Sequence, residues 1–351
     1  MTETLFTIAV AAHQTAPYLR KALDSVLAQQ CQDYECIVVV EESTDNSLEI
    51  AQEYAARDPR FKAVSLPKSG SPAGTRNYGI KHGIGQYLVA LDGDDWLATE
   101  HLSTLAEAIA KHPGLDAIHF AAQELYEQED GSFRDGKYIT NLTPNEDGLL
   151  MSGHEFTLKT GTKGTFNGYA WLTVCRLAFM REYALYQSDG LLMEDCEWSM
   201  RTQFLAKSII YINKPLYFYR RRANSITTEA HNSRRFFDLI TQFTFVQPFI
   251  DKYNVPLDVQ RCWANKWLAI ILPSFFHSAA KKESTFAERL RARKILMTPP
   301  MLYTLKRFAR LSSLPKRIGM ELFFLSRYVG YWLPWLYFRL LYYPLALRRS
   351  K

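Results

Sequence analysis

Cysteine is scarce in this chain and shows no pairing pattern. Cys31, Cys36, Cys175, Cys196 and Cys262 are odd in number and contain no CxxC pair. That excludes a disulfide framework and a zinc cluster as what organises the fold. Long apolar runs are also missing. In the aromatic C-terminal region the longest uncharged stretch, Tyr328 to Phe338, is 11 residues. A spanning helix needs about 20. The opening Met1-Thr-Glu-Thr4 carries no basic segment and no cleavage pattern, so no signal peptide is expected. Reduced thiols without an export signal point to the cytoplasm.

What is present is an ordinary globular composition: 351 residues, 47% hydrophobic and 22% charged. The length suits about two domains and a full core without covalent staples. The net charge of +6 hides an asymmetry. Residues 281–351 hold 16 Lys/Arg against 3 Asp/Glu, a balance of +13, whereas residues 1–280 stand at −7. A basic tail on a mildly acidic body seeks an anionic partner, either a membrane surface or a nucleic acid.

The first 125 residues alternate between strand and helix patterns. Phe6 to Ala12, Tyr34 to Val40, Phe61 to Leu66, Gln86 to Leu91 and Asp116 to Gln123 read as buried strands. Helices are predicted from Pro17 to about Gln30, to about Ala56, from Ala73 to Lys81 and from Thr99 to Lys111. Such alternation implies an α/β fold, with a mostly parallel doubly wound sheet. Ligands then bind outside the carboxyl ends of the strands. Three polar clusters fall at those ends: Ala12-His13, Glu41-Glu42 and Asp92 to Asp95. Further on, the sequence predicts a hairpin at Asp130-Gly131, a mobile loop over Gly161 to Gly168 and a helix from Glu194 to Leu205. Short strands are expected over Ile209 to Ile212 and Leu216 to Arg220. From about Ser233 the pattern is helical, so a domain boundary is expected near 230, with residues 231–351 a helical extension.

Asp92-Gly-Asp-Asp95 is the most informative tetrapeptide. Three carboxylates within four residues repel one another. A hard cation resolves the conflict: Mg²⁺ or Mn²⁺ takes oxygen ligands, usually one or two carboxylates plus substrate phosphates. A solvated acidic turn or a helix cap would explain the same residues without chemistry.

The neighbouring strings narrow the choice. Leu91-Asp-Gly-Asp-Asp-Trp-Leu97 resembles the DxD region of family 2 glycosyltransferases of the GT-A fold. Ile8 to Gln14 with Tyr18 to Gln29 resembles the opening strand and helix of that family. Ile37-Val-Val-Val-Glu-Glu-Ser-Thr-Asp-Asn-Ser47 is similar to its "VVDDGSTDxS" segment, and Ser69 to Gly79 to its "GxxxARNxG" segment. Gly190 to Arg201 resembles its late "ED" helix, and Tyr219 to Thr227 its closing "YRxxxxSIT" segment. Six strings in the right order span residues 5 to 227, while the last 120 residues are uncovered.

The resemblance implies a nucleotide-sugar site and an inverting transfer. It puts Glu41 at the nucleobase, with Val40 and Glu42 departing from the family's acid and glycine, and a UDP-sugar is expected. Ala11 and His13 would line the base, His13 by stacking or packing. Arg76 would face phosphate or ribose, where its fork suits oxyanions. Asp92, Gly93 and Asp94 would meet the donor, with Asp92 and Asp94 on Mn²⁺ or Mg²⁺ and Asp94 the principal ligand. Asp95 would support or cap the turn. Asp195 is expected to be the general base, with Glu194 and Glu197 on other faces of the helix. One of Arg220, Arg221 and Arg222 would face the pyrophosphate, or the run is a solvated face; His231 is read as a structural residue or an extra ligand, and Trp171 and Trp198 as packing or as stacking platforms.

The tail from 319 to 347 is rich in Tyr, Trp and Phe flanked by Arg, which suits the headgroup boundary. Peripheral attachment to the inner face of the cell membrane is expected, bringing the enzyme to a lipid-linked or cell-surface glycan acceptor. An intramolecular helical domain or a homo-oligomer contact is the other reading. No nucleic-acid module is present. No QxxRW motif is present either, so transfer of one or a few sugars is expected. Two competing functions are a nucleotidyltransferase, disfavoured because Ala11 to Ala16 is no Gly-rich phosphate loop, and a non-catalytic membrane-bound scaffold. A glycoside hydrolase could also use paired carboxylates but would not need the acidic turn.

Overall fold

The structure, a computed structural model, describes residues 4–163, 167–222, 238–239, 241–280, 299–312 and 318. The chain divides into two compact units, residues 1–160 with 165–228, and residues 161–164 with 229–351.

The first unit is built on β1 (Phe6–Ala12), β2 (Tyr34–Glu41), β3 (Phe61–Leu66) and β4 (Tyr87–Asp92), joined by α1 (Ala16–Leu27), α2 (Ser47–Arg57) and α3 (Ala73–His82). It continues through β5 (Trp96–Leu97), α4 (His101–Lys111), β6 (Ala117–Glu127), β7 (Phe133–Ile139), β8 (Leu150–Met151), α5 (Gly153–Lys163) and β9 (Thr173–Arg176). α6 (Leu177–Glu182), α7 (Asp195–Leu205) and β10 (Ile209–Arg221) complete it. The ten strands form one sheet in the order β3-β2-β1-β4-β9-β6-β10-β5, with β7 on β6 and β8 on β10. β1 to β4 pair in parallel, as do β6 and β10, while β9 enters antiparallel between β4 and β6. The expected α/β fold is thus observed.

Local sequence explains these elements. β2 is buried at every position, as a strand covered on both faces must be. α1 starts at a proline and buries Leu19, Ala22, Leu23 and Val26 on one face. Its first amides are held from a distance: Asp45 Oδ2 accepts from Ala16 N at 2.9 Å and Ser47 Oγ from Thr15 N at 3.1 Å. The turn after β2 therefore caps the helix after β1.

Two expectations needed correction. The two strands expected over 209–220 are one strand, β10, irregular between Ile212 and Tyr217. Pro215 has no amide to give the ladder, which breaks the apolar pattern without ending the strand. The loop expected from Gly161 begins as helix, because α5 runs to Lys163; residues 164–166 lie outside the described residues. The Asp130-Gly131 hairpin joins β6 to β7, with Gly131 at φ 79°.

In the second unit, α8 (Val246–Tyr253), α9 (Leu257–Ala280) and α10 (Pro299–Leu311) are described. Phe243 packs edge-on against Trp267 and Phe308, at ring distances of 5.3 and 5.2 Å. The aromatic tail from 319 onward and His231 lie outside the described residues.

Candidate active site

Parallel register sets the site. Ala11 lies opposite Val39 of β2 and Asp92 of β4, so three strands run out together. His13, Glu41 and the turn from Asp92 to Asp95 emerge along that one edge. The strands close tightly there. Gly93 N donates to the Ala11 carbonyl at 2.7 Å, and a Cβ on Gly93 would stand 2.8 Å from that oxygen. His13 is half-buried, and its Nδ1 has no hydrogen-bond partner among the described residues.

The three carboxylates of the turn point to three different partners. Asp92 Oδ1 accepts from Arg76 at 2.9 Å. Asp94 Oδ2 accepts from Arg222, with guanidinium nitrogens at 3.0 and 3.1 Å. Asp95 turns inward, accepting the Tyr217 hydroxyl and the Arg220 amide, each at 2.7 Å. Burial, reinforced by Asp94 and Asp92, pushes the Asp95 carboxyl well above the usual carboxylate range. Burial and Asp92 also raise Asp94. Arg220 braces the turn by donating to the Asp94 carbonyl at 2.7 Å and to Glu127 at 2.6 Å.

Arg76 is the hub. It is buried, and one guanidinium reaches Asp92, Glu194 at 2.7 Å and Gln187 at 3.3 Å. Burial opposes its charge, but Asp92, Glu194 and Asp195 together hold its pKa above the ordinary arginine value. One cation cannot neutralise three acids. Burial and the adjacent Asp195 accordingly push Glu194 up to about 7, against the pull of Arg76. Asn77, one residue on, fastens the segment before α7: its side chain bonds Gln187 N and O at 2.8 and 2.9 Å and Asp189 Oδ1 at 2.8 Å. Met193 then turns at φ 62°, and α7 opens with Asp195, half-buried, in its first turn. Glu197 is taken up by Arg201, so the three acids of this segment do separate.

Glu41 is buried and spends its oxygens on its own chain. It accepts from Ser69 Oγ at 2.5 Å and Ser69 N at 3.1 Å, and a Cβ on Gly74 would lie 3.1 Å from it. The extra methylene of glutamate gives it this reach. Arg221 pairs with Glu124 at 2.9 Å, so the three arginines do not form a solvated face. Trp171 and Trp198 are both buried packing residues, Trp198 donating to the Leu185 carbonyl at 2.9 Å.

Sequence reading missed Tyr217, Gln187 and the role of Asn77. Asn77 lay inside a quoted string, but nothing in the sequence announces partners about a hundred residues away. Tyr217 reads only as an apolar strand position.

Residues 7–162 match the family described as Glycosyl transferase family 2. The chain is 29% identical over 220 residues to EpsH of Bacillus subtilis, named as a glycosyltransferase, across 62% of this chain and 61% of EpsH. It is 28% identical over 252 residues to the glycosyltransferase GlyG of Streptococcus pneumoniae, across 71% of this chain and 80% of GlyG. The match thus spans less than two thirds of EpsH. Among solved structures, TarS 1–349 of S. aureus in complex with UDP-GlcNAc superposes with a TM-score of 0.72 at 17% identity, over 93% of this chain and 88% of that one. Residues 7–162 thus carry a family 2 glycosyltransferase match, on a sheet that shares the GT-A fold of TarS.

Proposed function

We propose that the chain is an inverting glycosyltransferase that moves a sugar from a nucleotide-diphosphate donor, a UDP-sugar, to a cell-surface glycan acceptor. One observation carries the reading: Arg76 ties the acidic turn at Asp92 to the start of α7 at Glu194. In this reading the donor-binding acids and the catalytic acid work together beyond the ends of β1, β2 and β4. The TarS complex with UDP-GlcNAc supports a UDP-sugar as the donor to try first.

In this reading Asp195 takes the proton of the acceptor hydroxyl as that oxygen attacks the anomeric carbon. The bond from the anomeric carbon to the phosphate oxygen breaks on the opposite face, and the diphosphate leaves with the electron pair. A positioned carboxylate is worth roughly 10²–10⁴ in rate. Arg76 keeps Glu194 and Asp92 in place while Asp195 works. Ala11, His13 and the loop that Glu41 holds at Ser69 would flank the base.

The donor set suits a hard divalent cation. Arg76 engages Oδ1 of Asp92, and Arg222 engages Oδ2 of Asp94, so in this reading the other oxygen of each carboxylate would face Mn²⁺ or Mg²⁺. No group of three or more His, Cys, Asp or Glu side chains among the described residues could hold a metal alone. Phosphate oxygens must complete the shell, the usual arrangement for Mg²⁺. When bound, the ion would neutralise charge on the departing diphosphate.

The test is a thermal-shift series of UDP, GDP, CDP and ADP on the full chain, with and without Mn²⁺. A rise in melting temperature for one nucleotide that depends on Mn²⁺ supports the reading. A flat response to all four with the metal present sinks it.

Attachment to an anionic membrane is the second part of the proposal. No helix among the described residues is long and apolar enough to cross a membrane. α10 buries Leu305, Phe308 and Ala309 and exposes Tyr303, Lys306 and Arg310 on its outer side. Each base near an anionic leaflet is worth about 1 kcal/mol. A chain ending at 318 keeps α10 and loses the aromatic tail, so it should float with anionic vesicles much less than the full chain; unchanged flotation would refute attachment through the tail.

A further inference from the structure

We propose that Tyr169 is the platform on which the acceptor's pyranose ring stacks, so that the accepting group is a sugar rather than a lipid phosphate or a protein side chain. The proposal rests on the glycosyltransferase reading above and names the acceptor class for the same site.

Tyr169 is the open end of an aromatic column. Its ring lies 4.9 Å from Trp171 and within 9° of parallel. Trp171 in turn stacks on Tyr217 at 4.5 Å and 14°. Trp171 and Tyr217 are buried, whereas Tyr169 is 36% exposed. The inner end of the column is tied to the acidic turn, because the Tyr217 hydroxyl donates to Asp95 and accepts from Asp92 N at 3.2 Å. At the outer end, burial, with smaller contributions from Tyr219 and Asp195, pushes the Tyr169 hydroxyl up to about 12. Tyr169 also leads directly into the turn from Ala170 to Leu172, which packs against α7, the helix that Asp195 opens.

One exposed aromatic carries no meaning by itself. This one is fixed in orientation by the stack behind it, and it leads into the turn that packs against α7, the helix that Asp195 opens. A ring so fixed offers a flat π face with negative charge at its centre. A pyranose with equatorial hydroxyls has the complementary surface: axial C–H groups on one face and hydroxyls around the rim. Around Tyr169 are groups able to meet that rim. Tyr219 lies 6.5 Å away ring to ring, and Arg221 reaches both the Tyr219 hydroxyl at 3.2 Å and Glu124. A phosphate would be repelled by the flat face, and a linear side chain would cover it less completely than a pyranose.

The test uses the full chain and saturation-transfer NMR with the aromatic protons irradiated. The probes are methyl β-D-glucopyranoside, methyl β-D-galactopyranoside and sorbitol, each measured with and without UDP and Mn²⁺. The expected result is transfer to the axial protons of at least one pyranoside and none to sorbitol. Tyr169→Ala should weaken that contact roughly three- to tenfold, and Tyr169→Phe should keep it. Tyr169→Phe should keep the wild-type melting temperature, Tyr169→Ala should melt a few degrees lower because it loses the stack on Trp171, and both should keep UDP affinity. An equal pyranoside signal in Tyr169→Ala, or none in the wild-type chain, overturns the platform. A pyranoside signal lost in Tyr169→Ala, from a chain that does not bind UDP, leaves the platform standing and overturns the nucleotide-sugar reading instead.

Discussion

The Tyr217 hydroxyl donates to Asp95 across 2.7 Å, and both side chains are sealed from water. The same oxygen accepts the Asp92 amide. One phenol on β10 thereby sets both the backbone and a side chain of the turn that follows β4. Tyr217→Phe keeps the packing and removes the bridge. A buried acceptor and a buried amide then lose their partner, at about 1–3 kcal/mol. Urea unfolding should give that loss. Adding Asp95→Asn should cost clearly less than it does in the wild-type chain, since the two groups act as one unit.

Gly93→Ala tests the crossing of β1 and β4. Its Cβ would sit 2.8 Å from the Ala11 carbonyl, which is backbone and cannot swing away. Overpacking of this kind costs about 1–3 kcal/mol. The variant should melt lower and bind nucleotide more weakly, because the shift occurs under the acidic turn. A melting curve and a nucleotide titration check both.

Glu194 predicts a pH signature in stability. Its carboxyl titrates near 4.5 in an unfolded chain and at about 7 in the fold. Between those values the folded chain holds more protons than the unfolded one, so stability falls as pH rises through that window. The loss from this group is about 3 kcal/mol at most, given about 1.4 kcal/mol per pH unit of separation. Urea midpoints at pH 5 and pH 8 should therefore differ in the wild-type chain by an amount that Glu194→Gln reduces. An identical pH slope in the variant would contradict the shared-cation geometry around Arg76.

Asp195→Asn should leave donor binding intact and cut turnover by roughly 10²–10⁴. Nucleotide affinity by calorimetry and product formation from the proposed donor separate the two effects. Normal turnover would remove Asp195 from the role of base.

Much of this was written in local patterns. The strand and helix periods placed β1 to β4 and α1 to α4 within a few residues, because burial of one face depends only on neighbours along the chain. The same patterns put the polar clusters at strand ends. Asp92 to Asp95 stood out because like charges that close require an explanation in any fold. β10 was misread as two strands, since Pro215 interrupts the apolar pattern and the sheet tolerates it only as an irregularity.

The sequence by itself determined the alternation of elements and which acids sit at the ends of the strands. Only the tertiary structure decided how those acids are used. It sent Asp92 to Arg76, Asp94 to Arg222 and Asp95 to Tyr217, and joined Arg76 to Glu194 from 118 positions away. The reason is range: hydrophobic periodicity is set within a few turns of chain, whereas the partner of a buried charge is set by whatever the packed sheet brings beside it.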